Sequence, residues 1–284
     1  LAARKAAGLG GLTLLSCDNL ADNGAVLRRL MREYLAVHYP DLIAWFDSEC
    51  RCPATMIDRI VPATTDADRA AVETIFGVRD EGAVVTEGFS QWVIEDDFAG
   101  PRPRWEAVGA QLVTDVAPYE SAKLRMLNGA HSALAYIGLG RGHAYVHQAI
   151  SDSEILPVID RLMREEAAPT IATAPEQDLP AYVDALLARF ANPALDHRLI
   201  QIAMDGSQKI PQRWLETLAW HQAQGRRCPS LEQAVAAWVA FLRSGQPIDD
   251  PLADQLREAG RGADAVERLI GRTGLIVTEW RPEQ

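Results

Sequence analysis

The fold is recognised most readily from one stretch, Pro118-Tyr119-Glu120-Ser121-Ala122-Lys123-Leu124-Arg125-Met126-Leu127-Asn128-Gly129-Ala130-His131. Apolar residues at helical spacing continue beyond it to Ile137, and glycines follow at Gly138, Gly140 and Gly142. Apolar positions three and four residues apart indicate the buried face of a helix, and glycine is a frequent stop signal. The pattern therefore predicts a helix over residues 119–137.

Lysine is rare in this chain, and one of its few copies lies in that helix. Three of the 28 lysines and arginines are lysines, namely Lys5, Lys123 and Lys209. An ammonium can lose its proton where its surroundings lower its pKa, whereas a guanidinium keeps its charge. In a regular helix the directions of Lys123 and His131 differ by about 80°, with Asn128 on the same flank. An amine, an imidazole and an amide so arranged are typical of a proton-transfer site, although a structural helix with incidental polar groups fits the same spacing.

The composition indicates a globular protein with an acidic surface. With 284 residues, the chain has the length of one large or two modest domains. Its formal net charge of −11 argues against nucleic acid or anionic membranes as partners. No apolar run approaches the roughly 20 residues of a membrane helix. Four cysteines in so long a chain favour a reducing, cytoplasmic compartment.

The front half of the chain is predicted to alternate strands and helices. Residues 11–16 are a short apolar run typical of a buried parallel strand. A helix follows from about Gly24, capped by Asp22 or Asn23, and its predicted inner face carries Val26, Leu27, Leu30, Met31, Tyr34 and Leu35. Ligands of open α/β sheets bind beyond the carboxyl ends of the strands. We therefore expect Asn19 at a ligand-facing edge, or else as a capping residue in a turn.

Further elements are predicted on both sides of a turn-rich hinge at residues 95–103. Before the hinge they are a helix at 40–48, an extended stretch at 55–62, a helix capped by Asp66, and β-like stretches at 83–86 and 89–94. After it the chain is nearly all helical, with helices at 119–137, 153–167, 179–190, 196–204, 211–223, 230–243, 251–259 and 264–271. Asp58 lies in the apolar extended stretch, where a carboxylate needs a partner such as Arg59 or a catalytic group. The change of pattern predicts a domain boundary near residues 110–115.

Four blocks of the sequence have the order and spacing of a known enzyme family. They are Ser16-Cys17-Asp18-Asn19 with Asn23-Gly24, Thr55-Met56-Ile57-Asp58-Arg59-Ile60, Lys123 through His131, and Ile202-Ala203-Met204-Asp205-Gly206-Ser207-Gln208-Lys209. They resemble the polyol-specific long-chain dehydrogenases, the mannitol dehydrogenase family. The resemblance implies an α/β tail of a Rossmann-like dinucleotide-binding domain at residues 1–114, followed by a mostly α-helical substrate and catalytic domain at residues 115–284. It also implies that the family's N-terminal half, with its glycine-rich nucleotide loop, is missing from this chain.

The resemblance assigns expected roles residue by residue. Lys123 matches the general base, and Asn19 and Asn128 match the amides that hold the substrate oxygen. His131 matches the histidine that positions the substrate and the lysine, and Asp58 matches the carboxylate that tunes this network. Lys209 matches a substrate-contacting lysine, and Gln201 stands where mannitol dehydrogenases carry an arginine. Ser16 and Asn19 are expected to contact the cofactor. That cofactor is expected to be NAD, with NADP as an alternative, and no metal is needed because the nicotinamide transfers the hydride.

The amino-acid sequence of residues 192–213 most resembles that of the fructuronate reductase branch of the family. The resemblance therefore implies interconversion of D-mannonate and D-fructuronate. Mannitol 2-dehydrogenase, or another polyol dehydrogenase, is the alternative activity. An alternative from another functional class is a ligand-binding fragment without catalytic activity. A minor alternative is that Lys123 forms a Schiff base, as in aldolases. In each case the expected partner is a small sugar acid or polyol rather than a nucleic acid or membrane, and the oligomeric state is left open.

Overall fold

The computed structural model describes residues 1–282 and divides into two compact units. Unit 1 comprises Leu1–Ile60 and Glu87–Glu120, and unit 2 comprises Val61–Thr86 and the described residues from Ser121 onward. The division into residues 1–114 and 115–284 stays a prediction. Within residues 1–282, no helix combines the length and the apolar character that crossing a membrane requires.

Unit 1 contains a small mixed sheet with helices before it. Strand β1 pairs antiparallel with β2, so that Thr55 lies opposite Ile94, and β2 pairs parallel with β3, so that Val93 lies opposite Gln111. The strands are β1 (Thr55–Asp58), β2 (Gln91–Glu95) and β3 (Gln111–Val113). The helices are α1 (Ala2–Ala6), α2 (Asn23–His38) and α3 (Ile43–Glu49), with short 3₁₀ turns at Pro40–Leu42 and Trp105–Val108.

Helix α2 begins as predicted but buries less of its surface than expected. The Asp22 carboxylate accepts a hydrogen bond from the Ala25 amide at 3.3 Å, which confirms Asp22 as the cap. Leu35 is buried and packs in one cluster with Leu42, Phe46 and Cys50. Leu30 and Tyr34 were predicted on the inner face, but about half of each remains exposed. The helix therefore packs along a narrow stripe.

Three local predictions for the front half were wrong. Residues 11–16 make a single parallel bridge, between Thr13 and Arg51, rather than a strand of the sheet. Residues 83–86 form no ladder, and the Thr64 hydroxyl donates to the Ala83 carbonyl instead. The cap of the next helix is Thr65 rather than Asp66, because Thr65 and Asp68 form a reciprocal capping box.

Unit 2 is helical, and its predicted helices are present, most of them with shifted ends. After α4 (Asp66–Phe76), helix α5 (Ala117–Ala122) contains the point where the chain enters unit 2 for the second time. The α-helices that follow are α6 (Gly129–Gly140), α7 (Val146–Ile150), α8 (Leu156–Arg161), α9 (Leu179–Phe190), α10 (Leu199–Ile202), α11 (Gly206–Ile210), α12 (Glu216–Gln222), α13 (Pro229–Arg243), α14 (Ala253–Ala259) and α15 (Ala265–Leu269). The last predicted helix ends early, since Ile270–Gly271 forms β4 and pairs parallel with β5 (Ile276–Val277).

Three wide helical turns interrupt these helices, and the sequence pattern did not predict them. They are π turn 1 (Lys123–Asn128), π turn 2 (Leu162–Ala167) and π turn 3 (Pro211–Leu215). After each one, the next amide donates to a carbonyl five residues earlier, as from Gly129 to Leu124. In π turn 3 the cause is local, because Pro211 lacks an N–H and its ring clashes with the carbonyl four residues before it. π turn 1 packs against the other two.

Helix α6 is the centre of unit 2 and is buried on all sides. Every residue from Gly129 to Gly138 is buried, and the helix packs against α7, α10 and α13. Gly138 permits this packing, because a Cβ atom there would lie 2.7 Å from Leu199 Cδ1 and 2.9 Å from Ala149 Cβ. The helix predicted at 119–137 is thus present as contiguous helical segments, α5, π turn 1 and α6, which together run from Ala117 to Gly140.

Candidate functional site

Lys123 and Asn128 lie at the two ends of π turn 1, and His131 follows in the first turn of α6. Lys123 is half-buried, whereas Asn128 and His131 are buried. An i→i+5 turn takes up one residue more than an α turn. The eight positions from Lys123 to His131 thus span about two full turns, which reduces the predicted 80° between their directions to about 20°. π turns occur frequently at functional sites, and this one aligns the predicted base with the predicted imidazole.

His131 is enclosed by other rings, and one of its nitrogens has no protein partner. The ring centroid lies 4.5 Å from Phe190 and 5.3 Å from His197, which meets it edge-on. Only 5% of the residue is exposed, and its Nε2 atom has no hydrogen-bond partner among residues 1–282. Burial, then the nearby His197 and Arg213, hold its pKa well below the usual value for histidine. A neutral imidazole with an unsatisfied nitrogen has the capacity to hydrogen-bond a substrate hydroxyl.

His197 is a member of this cluster that sequence reasoning missed. The helix predicted at 196–204 begins only at Leu199, so His197 lies in the irregular segment between α9 and α10. Its Nδ1 atom is also buried without a partner, and burial lowers its pKa to about 4. Two neutral imidazoles therefore face each other in the folded protein at neutral pH.

The two histidines should make stability depend on pH. Their pKa values are lower in the folded state than in the unfolded state, so the unfolded chain takes up more protons below about pH 6.5. The contribution of the two histidines to the free energy of unfolding is therefore complete above that pH and decreases as the pH drops. For His197→Asn, we expect the loss of stability between pH 7 and pH 5 to be about 2 kcal/mol smaller than in the wild type. Urea unfolding at both pH values measures this difference, and an unchanged loss would contradict it.

Lys209 lies in the short helix α11, which leads directly into π turn 3. Its Nζ atom donates to the Met204 carbonyl at 2.6 Å and lies 3.8 Å from Asp205 Oδ2. Burial, then the charge of Arg213, lower its pKa. The Ser207 hydroxyl and amide both donate to Asp250, which fixes the start of α11. Lys209 is thus half-buried and held in place, unlike a freely solvated surface charge.

The site residues predicted in unit 1 lie on a loop that hydrogen bonds from Asn23 hold in place, and at the end of a strand. Asn23 is buried, and its amide nitrogen donates to the Asp18 carbonyl at 3.0 Å and the Thr55 carbonyl at 3.1 Å. Its amide oxygen accepts the Thr55 amide at 2.9 Å. Ser16 is half-buried and Asn19 is exposed on the loop that Asn23 holds.

The other end of strand β1 carries the predicted carboxylate. Asp58 is 1% exposed there, opposite Gln91 of β2. The neighbouring Arg59 donates to the Glu87 carbonyl at 3.2 Å. The loop after Asn19 is anchored as well, because the Asp22 amide donates to the Glu120 carboxylate.

The structure thus brings three predicted residues together on one helix, namely Lys123, Asn128 and His131. Ser16 and Asn19 share one loop, with Asp58 on the strand that this loop contacts through Thr55. Gln201 is half-buried in α10. The convergence of Asn19 and Asp58 with Lys123 stays a prediction. Within residues 1–282, no three histidine, cysteine or acidic side chains are grouped so that they could hold a metal ion.

Family models match nearly the whole chain. The mannitol dehydrogenase Rossmann domain matches residues 1–107, and the mannitol dehydrogenase C-terminal domain matches residues 115–275. The chain belongs to the mannitol dehydrogenase family. This confirms the predicted resemblance and the fold class, which is a Rossmann-type region followed by a helical domain.

Curated relatives of both expected kinds match this family member. D-mannonate oxidoreductase of Escherichia coli K12 is 40% identical over 97% of this chain and 59% of its own length. A mannitol 2-dehydrogenase of Phaeosphaeria nodorum is 39% identical over 90% of this chain and 47% of its own length. The chain therefore spans about half the length of the curated relatives it matches.

A solved structure agrees with the family assignment. It is the Pseudomonas fluorescens mannitol 2-dehydrogenase in a ternary complex with NAD and D-mannitol. It is 37% identical to this chain with a TM-score of 0.80, and the match covers 94% of this chain and 56% of that one.

Proposed function

We propose that the protein is an NAD-dependent oxidoreductase that interconverts a secondary alcohol and a ketone on a sugar-derived substrate. The observation that carries the proposal is the arrangement along π turn 1. Lys123 and Asn128 stand at its two ends, and His131 offers a buried nitrogen that has no hydrogen-bond partner in the described part of the chain. An amine, an amide and a neutral imidazole on one flank match the needs of a carbon–oxygen bond that gains and loses a proton.

Each of these side chains has a distinct role in the proposed reaction. During oxidation, neutral Lys123 takes the hydroxyl proton of the substrate as the C–H hydrogen leaves with its electron pair, and during reduction its ammonium returns that proton. The amides of Asn128 and Asn19 donate to the oxygen while negative charge develops on it. His131 orients the substrate hydroxyl through Nε2, and Asp58 is the carboxylate that tunes the lysine.

The residues of unit 1 fit one end of a nicotinamide cofactor. NAD, when bound, accepts or supplies the hydride. The Ser16–Asn19 loop offers a hydroxyl and an exposed amide, and the buried Asn23 amide holds its backbone in place. These are the neutral hydrogen-bonding groups that a carboxamide-bearing ring requires. NADP stays the alternative cofactor.

The four free cysteines suit a reducing, cytoplasmic location.

Within this activity we propose D-mannonate and D-fructuronate as the substrate pair. The identity to D-mannonate oxidoreductase over nearly the whole chain supports it. Gln201 adds support, since mannitol dehydrogenases are expected to carry an arginine there. The half-buried ammonium of Lys209 suits a substrate carboxylate through a charge-assisted hydrogen bond. Mannitol and fructose are the second candidate pair, supported by the 39% identity to a mannitol 2-dehydrogenase.

Steady-state kinetics of the full-length protein test both levels of the proposal. Reduction of D-fructuronate and D-fructose is followed by NADH oxidation, and we expect the larger kcat/KM for fructuronate. A larger kcat/KM for fructose would contradict the uronate assignment. Failure to oxidise NADH with any keto sugar would contradict the oxidoreductase proposal and favour a ligand-binding role.

Lys209→Met should separate the two substrate classes. The variant keeps the length of the side chain but removes the ammonium. If Lys209 binds the carboxylate, kcat/KM for fructuronate falls by roughly 10- to 150-fold, because a hydrogen bond to a charged group contributes about 1.5–3 kcal/mol. Fructose carries no carboxylate, so its reduction should change far less. Equal losses on the two sugars would show that Lys209 does not recognise the carboxylate.

A further inference from the structure

Two side chains of π turn 3 donate hydrogen bonds to the end of π turn 1 and the start of α6. Arg213 Nη1 donates to Ser132 Oγ at 2.7 Å and to the Asn128 carbonyl at 3.4 Å. Trp214 Nε1 donates to the Gly129 carbonyl at 3.0 Å. The acceptors of these bonds thus lie between Asn128 and Ser132, the stretch where π turn 1 passes into α6 and which includes His131.

The backbones at this junction approach so closely that a side chain would not fit easily. A Cβ atom at position 129 would lie 3.2 Å from the Arg213 carbonyl oxygen. Gly129 therefore allows π turn 3 to pack directly on the helix backbone. Such direct contact transmits a shift of π turn 3 to the helix, because closely packed interiors deform little.

Arg213 makes these contacts as a half-buried cation without a carboxylate partner. Among residues 1–282, no aspartate or glutamate forms an ion pair with it. Burial lowers the pKa of its guanidinium to about 10, so it remains charged at neutral pH. Keeping an unpaired cation partly buried costs free energy. The guanidinium instead donates to the Ser132 hydroxyl and the Asn128 carbonyl, at the junction that carries the proposed site.

We propose that Arg213 is a positioning residue of the reaction, which rests on the proposed function. It fixes the junction of π turn 1 and α6, so that Lys123, Asn128 and His131 keep one geometry toward the substrate oxygen. It acts through the helix and does not touch the substrate. Its loss should therefore lower kcat more than it weakens substrate or cofactor binding, since a displacement of about 1 Å can cost on the order of 100-fold in rate.

The test compares Arg213→Ala with a matched control in the full-length enzyme, using whichever keto sugar the wild type reduces fastest. Arg243 is the control, because it also donates to two backbone carbonyls, those of Gly260 and Gly262, away from the junction. We expect Arg213→Ala to lower kcat by roughly 10- to 100-fold, with KM and the Kd for NADH within about threefold. Arg243→Ala should lower the Tm and leave kcat nearly unchanged.

Rescue distinguishes positioning from a general loss of structure. Added guanidinium ion should restore part of the kcat of Arg213→Ala and none in Arg243→Ala. Should Arg213→Ala fail to fold, Ser132→Ala removes only the shorter bond of Arg213, and kcat should fall while KM holds.

Two results would overturn the inference. The first is a kcat of folded Arg213→Ala near the wild-type value. The second is a loss of kcat that follows the loss of Tm in both arginine variants and is not restored by guanidinium ion. Wild-type enzyme that reduces no keto sugar would instead contradict the proposed function itself.

Discussion

Replacing Lys123 with alanine is expected to lower kcat by at least about 100-fold, the lower range for a general base. The hydroxyl proton of the substrate then has no acceptor at the start of π turn 1. The Kd for NADH, measured by fluorescence, should change little, because Lys123 is expected to contact the substrate oxygen rather than the cofactor. Steady-state kinetics of the full-length enzyme give the kcat values.

Lys5 provides the matched control for this substitution. It is exposed, and its Nζ atom donates to the Asp41 carbonyl. Lys5→Ala should therefore leave kcat within about twofold, as surface substitutions usually have small effects. If Lys123→Ala lost thermal stability but kept its kcat, Lys123 would be a structural residue and the proposed chemistry would be wrong.

Asn128→Asp is expected to lower kcat by about 100- to 1,000-fold, the range for loss of one donor to a developing oxyanion. Aspartate has nearly the same shape as asparagine, but it replaces a donating amide with an acidic group that repels negative charge. The hydrogen bond from the Arg213 side chain to the Asn128 backbone carbonyl is preserved. Stability should thus change less than turnover, and kinetics combined with thermal unfolding separate the two effects.

Asn192→Asp is the control for the same chemical change. The Asn192 side-chain oxygen accepts the Ala194 amide at 3.0 Å, and a carboxylate oxygen accepts such a bond equally well. Its kcat should match that of the wild type. An Asn128→Asp variant as active as this control would exclude a donor role for the Asn128 amide.

The parts of the fold that follow from local pattern could be predicted from the sequence. Helix α9 lies at the predicted residues, β1 lies within the predicted extended stretch, and Asp22 caps α2. These features depend on spacing and capping chemistry within a few residues. Residues 11–16 have the same apolar character as a strand, yet only Thr13 pairs, because pairing also needs a neighbour that the local pattern does not specify.

The chemistry expected of the candidate site stays a prediction, whereas the local geometry of its residues could not be predicted from the sequence. The resemblance singled out Lys123, Asn128 and His131, and the structure aligns them along π turn 1 and the first turn of α6. π turn 1 could not be foreseen, because an apolar pattern with a period of 3.6 residues is too coarse to reveal one extra residue. His197 and Arg213 were not identified either, since each joins the cluster through contacts with residues more than 60 positions away.

The π turns also bear on how sequences of this kind should be aligned. Since a π turn absorbs one residue more than an α turn, the chain can lose or gain a residue there while the helices on either side keep their orientation. A single-residue gap at Lys123–Asn128 would then leave α6 in the same register, whereas a gap inside α6 would rotate everything after it by about 100°. In alignments of this region, one-residue gaps therefore belong in the three π turns, where their structural cost is smallest.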